Sequence, residues 1–312
     1  MDKKDTIVIT GAAGFIGRNL CVHFAKLGKR LIAIDRIQRY KIQEPLKGIL
    51  QSQPHEYYCL NLEKESNPGI LKQQAETLIH LAAEASVKRS LQKPKQTILN
   101  NVLSFHTAID IAKYSGVTKF FYASSSNVYG SFSEVDNIET QELAPMNPYG
   151  LSKVLNEVQA QYCGIKTTGL RFFNVYGPVM NREKEYSSVL QTWMEACKNG
   201  QPIVIYGDGT KRRDFTHIDD VVQAIEHMIN GEPKAPIYNI AYGNQTSIIQ
   251  VAKMLKDILG ERCKSEIEFR ADRDGEIKTS GGDIGLLLRD IGFEPRIGIK
   301  EGLEMLVKEY GL

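Results

Sequence analysis

The chain has no hydrophobic run long enough to span a bilayer, no cysteine pair at metal-binding spacing and no excess of one charge. Its apolar stretches fall far short of the ~20 residues a membrane helix needs. Met1 leads through a charged segment straight into a strand, with no apolar leader, so a cytoplasmic protein without membrane association is expected. The five cysteines (Cys21, Cys59, Cys163, Cys197, Cys263) are scattered, with no CxxC pair and no His/Cys cluster. They read as small buried hydrophobes in a reducing compartment, and no metal site is expected. Lysine and arginine total 39 against 37 acidic residues, well mixed along the sequence. Binding to nucleic acid needs a concentrated basic face, so that class of partner is not expected.

What is present suits a two-lobed enzyme. Hydrophobic residues make up 42% of 312, enough to bury a full core. Thr6–Thr10 is a short β-branched strand followed by a helical pattern from Gly14 to Leu27 and a second strand, Arg30–Asp35. Apolar runs at Tyr57–Leu60, Thr77–Leu81, Lys119–Ala123 and Thr167–Leu170 alternate with helical stretches near 97–115 and 149–163. Strand–helix alternation of this kind predicts an α/β fold, a doubly wound parallel sheet over residues 1–172. From 173 to 312 the pattern changes: 173–190 is polar and irregular, and shorter strands and helices follow. That part reads as a smaller α/β substrate lobe, with the chain free to cross between lobes.

Thr10-Gly11-Ala12-Ala13-Gly14-Phe15-Ile16-Gly17 joins the first strand to the first helix. Gly11 permits the tight turn, Gly14 lets the backbone approach a pyrophosphate, and Gly17 allows close helix–strand packing. The helix start, with Phe15 and Ile16, then offers its N–H groups and positive dipole end to an anion. Asp35 closes the second strand about twenty residues further on, where a carboxylate can hydrogen-bond both ribose hydroxyls. It repels a 2′-phosphate, which favours NAD over NADP, although Arg36 beside it softens the preference.

Tyr149 and Lys153 stand four apart at a predicted helix start, on one face. A phenol is a poor base at neutral pH, but a neighbouring ammonium and a bound nicotinium both favour phenolate. Such a tyrosine can take an alcohol proton as a hydride leaves. Upstream, a strand from Tyr122 runs into Ser124, Ser125 and Ser126, hydroxyls that can bond a substrate oxygen.

TGAAGFIG, His80-Leu81-Ala82-Ala83, the serine run before Val128-Tyr129-Gly130, PYGLSK and RFFNVYGP together resemble the extended short-chain dehydrogenase/reductases. Within them the resemblance is to the NAD-dependent nucleotide-sugar epimerase/dehydratase family, and it runs from about residue 6 to near the C-terminus. It implies a Rossmann domain holding NAD and a C-terminal lobe for the sugar nucleotide. By the resemblance Tyr149 is the general base, Lys153 binds the nicotinamide ribose, and Ser125 bonds the reacting hydroxyl, with Ser126 beside it. Leu81, Ala82 and Ala83 line the cofactor. Asn61, with Leu62 after it, stands where an aspartate usually meets the adenine. Asn101 matches a helix-borne asparagine, while Ser104-Phe105 departs from the usual Gly-Thr. Asn174, Arg213 and Arg273 match the residues that hold the sugar diphosphate, a task for which arginine's forked donors are apt.

The family's 4,6-dehydratases carry Asp-Glu directly before Val-Tyr-Gly, where this chain has Ser126-Asn127. Dehydration is therefore not expected, and 4-epimerisation of a UDP-sugar through a 4-keto intermediate is. A UDP-glucuronate 4-epimerase or decarboxylase is the alternative. Lys88, Arg89 and Arg182 are the loose candidates for its carboxylate, and glucuronate 4-epimerases tend to carry Thr in place of Asn174. A non-catalytic dinucleotide sensor usually loses the tyrosine or lysine, and both are kept here. In the family's 4-epimerases the residue seven after the Arg-x-Gly-Asp/Glu arginine borders C2 of the hexose. Counting from Arg273 gives Ser280, small enough to admit an N-acetyl group, with Gly281-Gly282 adding space. The resemblance also implies a homodimer through the helices near 97–115 and 149–163, with apolar faces Ile98, Val102, Phe105, Ile109 and Val154, Val158.

Overall fold

The computed structural model describes residues 5–52, 54–65, 69, 75–130, 137–178, 188–272 and 277–312. Its Cα packing groups the chain into two compact units, each drawn from several segments. The first holds 1–128, 147–171 and 228–238; the second holds 129–146, 172–227 and 239–312.

The first unit opens with β1 (Thr6–Thr10), α1 (Phe15–Lys26), β2 (Arg30–Asp35), α2 (Leu46–Gln51), β3 (Glu56–Cys59) and β4 (Thr77–His80). It continues with α3 (Val87–Gln92), α4 (Pro94–Tyr114), β5 (Lys119–Ser125), α5 (Pro148–Tyr162) and β6 (Thr167–Phe172). The pairs β1–β2, β2–β3, β1–β4 and β4–β5 are parallel. The sheet carries β3, β2, β1, β4, β5 and β6 in that order, with a seventh strand from later in the chain outside β6. Its order reverses between β1 and β4, where a doubly wound sheet opens its crevice. Strands buried on both faces explain the continuous apolar runs: every residue of β1 and of β4 is buried.

Phe105 gives the departure Ser104-Phe105 its physical account. Its ring lies 5.0 Å from Tyr122, 5.5 Å from His80 and 5.9 Å from Phe120, at the centre of the main core cluster. Phe105 and Ile109 therefore point into the core and not outward as the interface reading expects. The large apolar residues that α4 and α5 expose are Leu99, Leu103, Tyr114, Leu151, Val158 and Tyr162, of which only Val158 belongs to the expected faces.

The second unit contains β7 (Asn174–Tyr176), α6 (Val189–Lys198), β8 (Ile203–Tyr206), β9 (Arg212–His217) and most of α7 (Ile218–Asn230). After β10 (Ile237–Ile240), the seventh strand of the large sheet, come β11 (Gln245–Ser247), α8 (Ile248–Leu259), β12 (Ile267–Arg270), β13 (Thr279–Ser280), α9 (Gly285–Ile291) and α10 (Ile299–Tyr310). β9 is the hub: β11 pairs with it antiparallel, β13 and β7 parallel. β7 lies in the segment expected to be irregular, and pairing with β9 is what makes it a strand. Among the described residues no helix is long and apolar enough to cross a membrane.

Candidate active site

The glycine turn has the geometry a pyrophosphate needs. Gly11 sits at φ +68°, and a Cβ there would lie 2.7 Å from the Ala82 nitrogen. A side chain at Gly17 would overlap the Gly11 carbonyl, so both positions require glycine. α1 has Gly14 at its N-cap, no side-chain cap bond and no acidic residue in its first turn, which leaves its positive end for a ligand. Phe15, Ile16 and Gly17 form that first turn.

Asp35 is held beside the turn. Its Oδ2 accepts from the Ala13 N–H at 2.9 Å and its Oδ1 from the Ile37 N–H at 3.2 Å. Each oxygen keeps a second lone pair for a ribose hydroxyl. Burial pushes the Asp35 carboxyl up, and the two backbone donors and Arg36 act against it. Thr10 anchors the loop after β4: its Oγ1 accepts from the Leu81 and Ala82 N–H groups at 3.3 and 3.4 Å. The same hydroxyl is hydrogen-bonded with His80 Nδ1 at 2.8 Å. Burial drives the His80 pKa down to about 3, so the ring is neutral. Leu81 and Ala82 thus lie against the glycine turn. The cradle that only glycine can line, the uncapped helix start and the oriented carboxylate fit a dinucleotide.

Asn61 and Leu62 follow β3. The Asn61 amide donates to Glu63 Oε1 at 3.1 Å, which leaves its carbonyl oxygen as the acceptor toward an adenine amine. The Leu62 side chain is buried in the core and its carbonyl accepts from Thr107 Oγ1 at 2.8 Å, so its contribution to a ligand is limited to backbone. Asn101 is wholly engaged within the protein. Its Oδ1 accepts from the Glu84 N–H at 2.7 Å, and its Nδ2 donates to the Glu84 carbonyl and to Ser152 Oγ at 2.8 Å. It fastens the loop after β4 to α5, next to Lys153.

Ser125, Tyr149 and Lys153 come together at the end of β5 and the start of α5. Asn147 caps that helix: its Oδ1 accepts from the Gly150 N–H at 2.8 Å. Lys153 is 1% exposed; its Nζ donates to the Ala123 carbonyl at 2.9 Å and lies 5.9 Å from the Tyr149 ring centroid. Burial lowers its pKa to about 8, and the Glu157 carboxylate opposes the fall. Burial holds the Tyr149 phenol above its usual value, and a hydrogen bond from Ser125 works against that. Ser126 is buried in the short turn that follows Ser125.

Sequence reasoning missed Glu157, one further turn along α5. Its Oε1 accepts from Ser124 Oγ at 2.5 Å and from Arg171 Nε at 2.9 Å, and its Oε2 from Arg171 Nη2 at 2.8 Å. Successive turns of α5 are therefore tied to successive residues of β5, Lys153 to Ala123 and Glu157 to Ser124. The available signal was a carboxylate on the face already assigned to Tyr149 and Lys153.

In the second unit the register around β9 groups three of the expected substrate residues. Ser280 pairs with Arg213, and Asn174 pairs with Phe215, two residues along the same strand. Paired and alternate residues share a face, so Asn174, Arg213 and Ser280 lie on one face of one small sheet. Arg213 Nη1 donates to the carbonyls of Arg212 and Lys278 at 2.8 and 3.1 Å, which fixes the guanidinium on that strand. Arg273 and Arg182 lie outside the described residues. Gly282 adds no space next to Ser280: a Cβ there would sit 2.7 Å from the Phe173 ring and 2.8 Å from Ala241.

A family model described as the NAD-dependent epimerase/dehydratase family matches residues 7–241. Protein CapI of Staphylococcus aureus is 30% identical, over 97% of this chain and 98% of its own. A UDP-glucuronate 4-epimerase of Thermodesulfobacterium geofontis is 29% identical, over 96% and 94%. The crystal structure of the UDP-glucose 4-epimerase of Thermotoga maritima with UDP-glucose has a TM-score of 0.89 and 28% identity, covering 98% of each chain.

Proposed function

We propose, for a chain that belongs to the NAD-dependent epimerase/dehydratase family, the interconversion of UDP-sugars epimeric at C4. The observation that carries this reading is the buried Tyr149–Lys153–Ser125 cluster, with Ser126 and Asn127 where elimination of water would require a carboxylate pair. NAD, which the Gly11–Gly17 turn and Asp35 would hold, would supply the hydride acceptor and donor for C4. Tyr149 takes the O4 proton and gives it back, so the reaction leaves no net proton or redox change. Ser125 hydrogen-bonds the same oxygen, and the Lys153 ammonium favours the phenolate. Asn174, Arg213 and Arg273 hold the diphosphate in this reading.

The glucuronate alternative draws support from relatives named as UDP-glucuronate 4-epimerases. Arg89, one of its candidate carboxylate partners, pairs with Glu84 at 3.1 Å. Incubation with UDP-glucose, UDP-N-acetylglucosamine and UDP-glucuronate, with products read by NMR, separates the two. A C4 epimer of either neutral sugar is expected. Turnover of the uronate alone, or a deoxy-keto product, would overturn the reading.

The assembly proposed is a homodimer through α4 and α5. Leu99 and Leu103 are 46% exposed, Leu151 40%, Val158 44% and Tyr162 83%, a display of apolar side chains suited to burial against a second copy. A monomer by light scattering at micromolar concentration would refute it.

A further inference from the structure

Asn127 occupies the position at which the dehydratases place an acidic residue, and its side chain is not idle. The orientation of its amide follows from one backbone donor. Gly150 N–H donates to Asn147 Oδ1 at 2.8 Å, so the other end of the Asn147 amide is its NH₂. That NH₂ lies 3.1 Å from Asn127 Oδ1, which fixes Asn127 in turn and aims its Nδ2 at Ser125 Oγ, 3.1 Å away. The Asn127 backbone N–H donates to the same oxygen at 3.2 Å. A serine hydroxyl has two lone pairs and one hydrogen. Both lone pairs of Ser125 are filled by Asn127, so its hydrogen can only be donated.

We propose that Asn127 is a positioning residue that locks the Ser125 hydroxyl as a donor, toward the Tyr149 phenol oxygen in the free enzyme or the reacting sugar hydroxyl once substrate is bound. The inference rests on the reading of Tyr149 as the base. A donor-only serine cannot receive the sugar's proton, which leaves Tyr149 as its acceptor. A hydrogen bond donated to an oxygen favours its ionised form, so the same lock brings the buried phenol closer to phenolate. Carried from the α5 cap through Asn147 and Asn127, the orientation is set before substrate arrives.

Other titratable groups on α5 and on elements of this unit near it are the same in wild type and both variants. They are Lys153 and Glu157 on its own helix, neutral His80 at the end of β4, and Arg171 of β6, held by Glu157. The loop after β4 and α3 add Glu84, Lys88 and Arg89, the first and last paired with each other.

The test compares Asn127→Asp and Asn127→Ala. The carboxylate introduced by Asn127→Asp would draw the Ser125 hydrogen to itself and place a negative charge nearby, so the phenol should ionise at a pH higher by about one unit or more. Asn127→Ala removes one donor without adding charge and should move it less, in the same direction. Ultraviolet titration of each variant, with the matching Tyr149→Phe double variant subtracted, reads this phenol among the fourteen tyrosines. The acidic limb of kcat/KM should move with it, while thermal melting changes little. Equal phenol titration in wild type and both variants would overturn the proposal. Turnover by Tyr149→Phe would instead overturn the base assignment, and the titration would still decide the role of Asn127.

Discussion

Replacing Glu157 by Gln keeps the shape of the side chain and removes one charge from a pair that is almost fully enclosed. Side-chain exposure is 4% at Arg171 and 8% at Glu157. The guanidinium loses one of two charge-assisted bonds, at 2.8 and 2.9 Å, and is left as an uncompensated buried cation. Breaking a buried pair by removing one partner costs about 3–5 kcal/mol. The glutamine oxygen still accepts one bond, from Ser124 or Arg171, which places the expected loss toward the lower figure. At about 2–4 °C per kcal/mol, a loss near the lower figure should reduce melting by roughly 6–12 °C. The second consequence is electrical. Glu157 is the group that holds the Lys153 pKa up against burial, so without it Lys153 loses its proton at lower pH. The alkaline limb of kcat/KM should therefore shift to lower pH in Glu157→Gln. Adding Arg171→Met removes the stranded cation, and both melting temperature and alkaline limb should return most of the way to wild type. Calorimetry with a pH–rate profile on the two single variants and the double variant tests this. Losses that merely add in the double variant would refute the claim that the pair acts as one neutral unit.

The remaining predictions follow from the same geometry. In the NAD-loaded enzyme, where the nicotinium favours the Tyr149 phenolate, wild-type kcat/KM should decline as Lys153 loses its proton near pH 8; a profile flat to two units higher would remove the ammonium from the mechanism. Asp35→Ala gives up hydrogen bonds to a carboxylate worth about 1.5–3 kcal/mol, so NAD affinity measured by calorimetry should drop at least about tenfold and NADP should be discriminated against less. Unchanged NAD affinity would place the ribose elsewhere. Ser280→Tyr should abolish turnover of UDP-N-acetylglucosamine selectively while UDP-glucose persists; equal loss of both would show that Ser280 does not border C2.

The parts of the site legible in the sequence are those that short segments encode alone. The turn from Gly11 to Gly17 needs only glycine spacing between a β-branched strand and an amphipathic helix, and Asp35 needs only the end of the next strand. Tyr149 and Lys153 are visible because a helix puts residues four apart on one face. The three hydroxyls after Tyr122 announce themselves by composition. Phe105 and Ile109 show the limit of that reasoning. A helical apolar stripe looks the same whether it meets a sheet or a second subunit, and only the rings of Tyr122 and Phe120 across the sheet decide it. The strands around β9 fail for a related reason. Three-residue β7 and two-residue β13 are too short for alternation to register, and long-range pairing alone makes them strands.

What the sequence hid within the candidate cluster is the direction of its hydrogen bonds, and that direction carries chemical meaning. Asn101 looks like a ligand residue by position, yet both ends of its amide are committed to Glu84 and Ser152. Asn127 looks like a lost acid, yet it determines which way the Ser125 proton points. Glu157 looks like a solvated helix charge, yet one turn along α5 from Lys153 it neutralises Arg171. In each case a polar side chain is buried or half-buried, and burial makes an unpaired polar atom costly. The chain meets that cost with partners distant in sequence: Asn101 with Ser152, Asn147 with Asn127, Glu157 with Arg171. The residues expected to touch substrate are thereby fixed by residues that are not. A single-site change in this second group should alter the pH dependence of the reaction before it alters the fold.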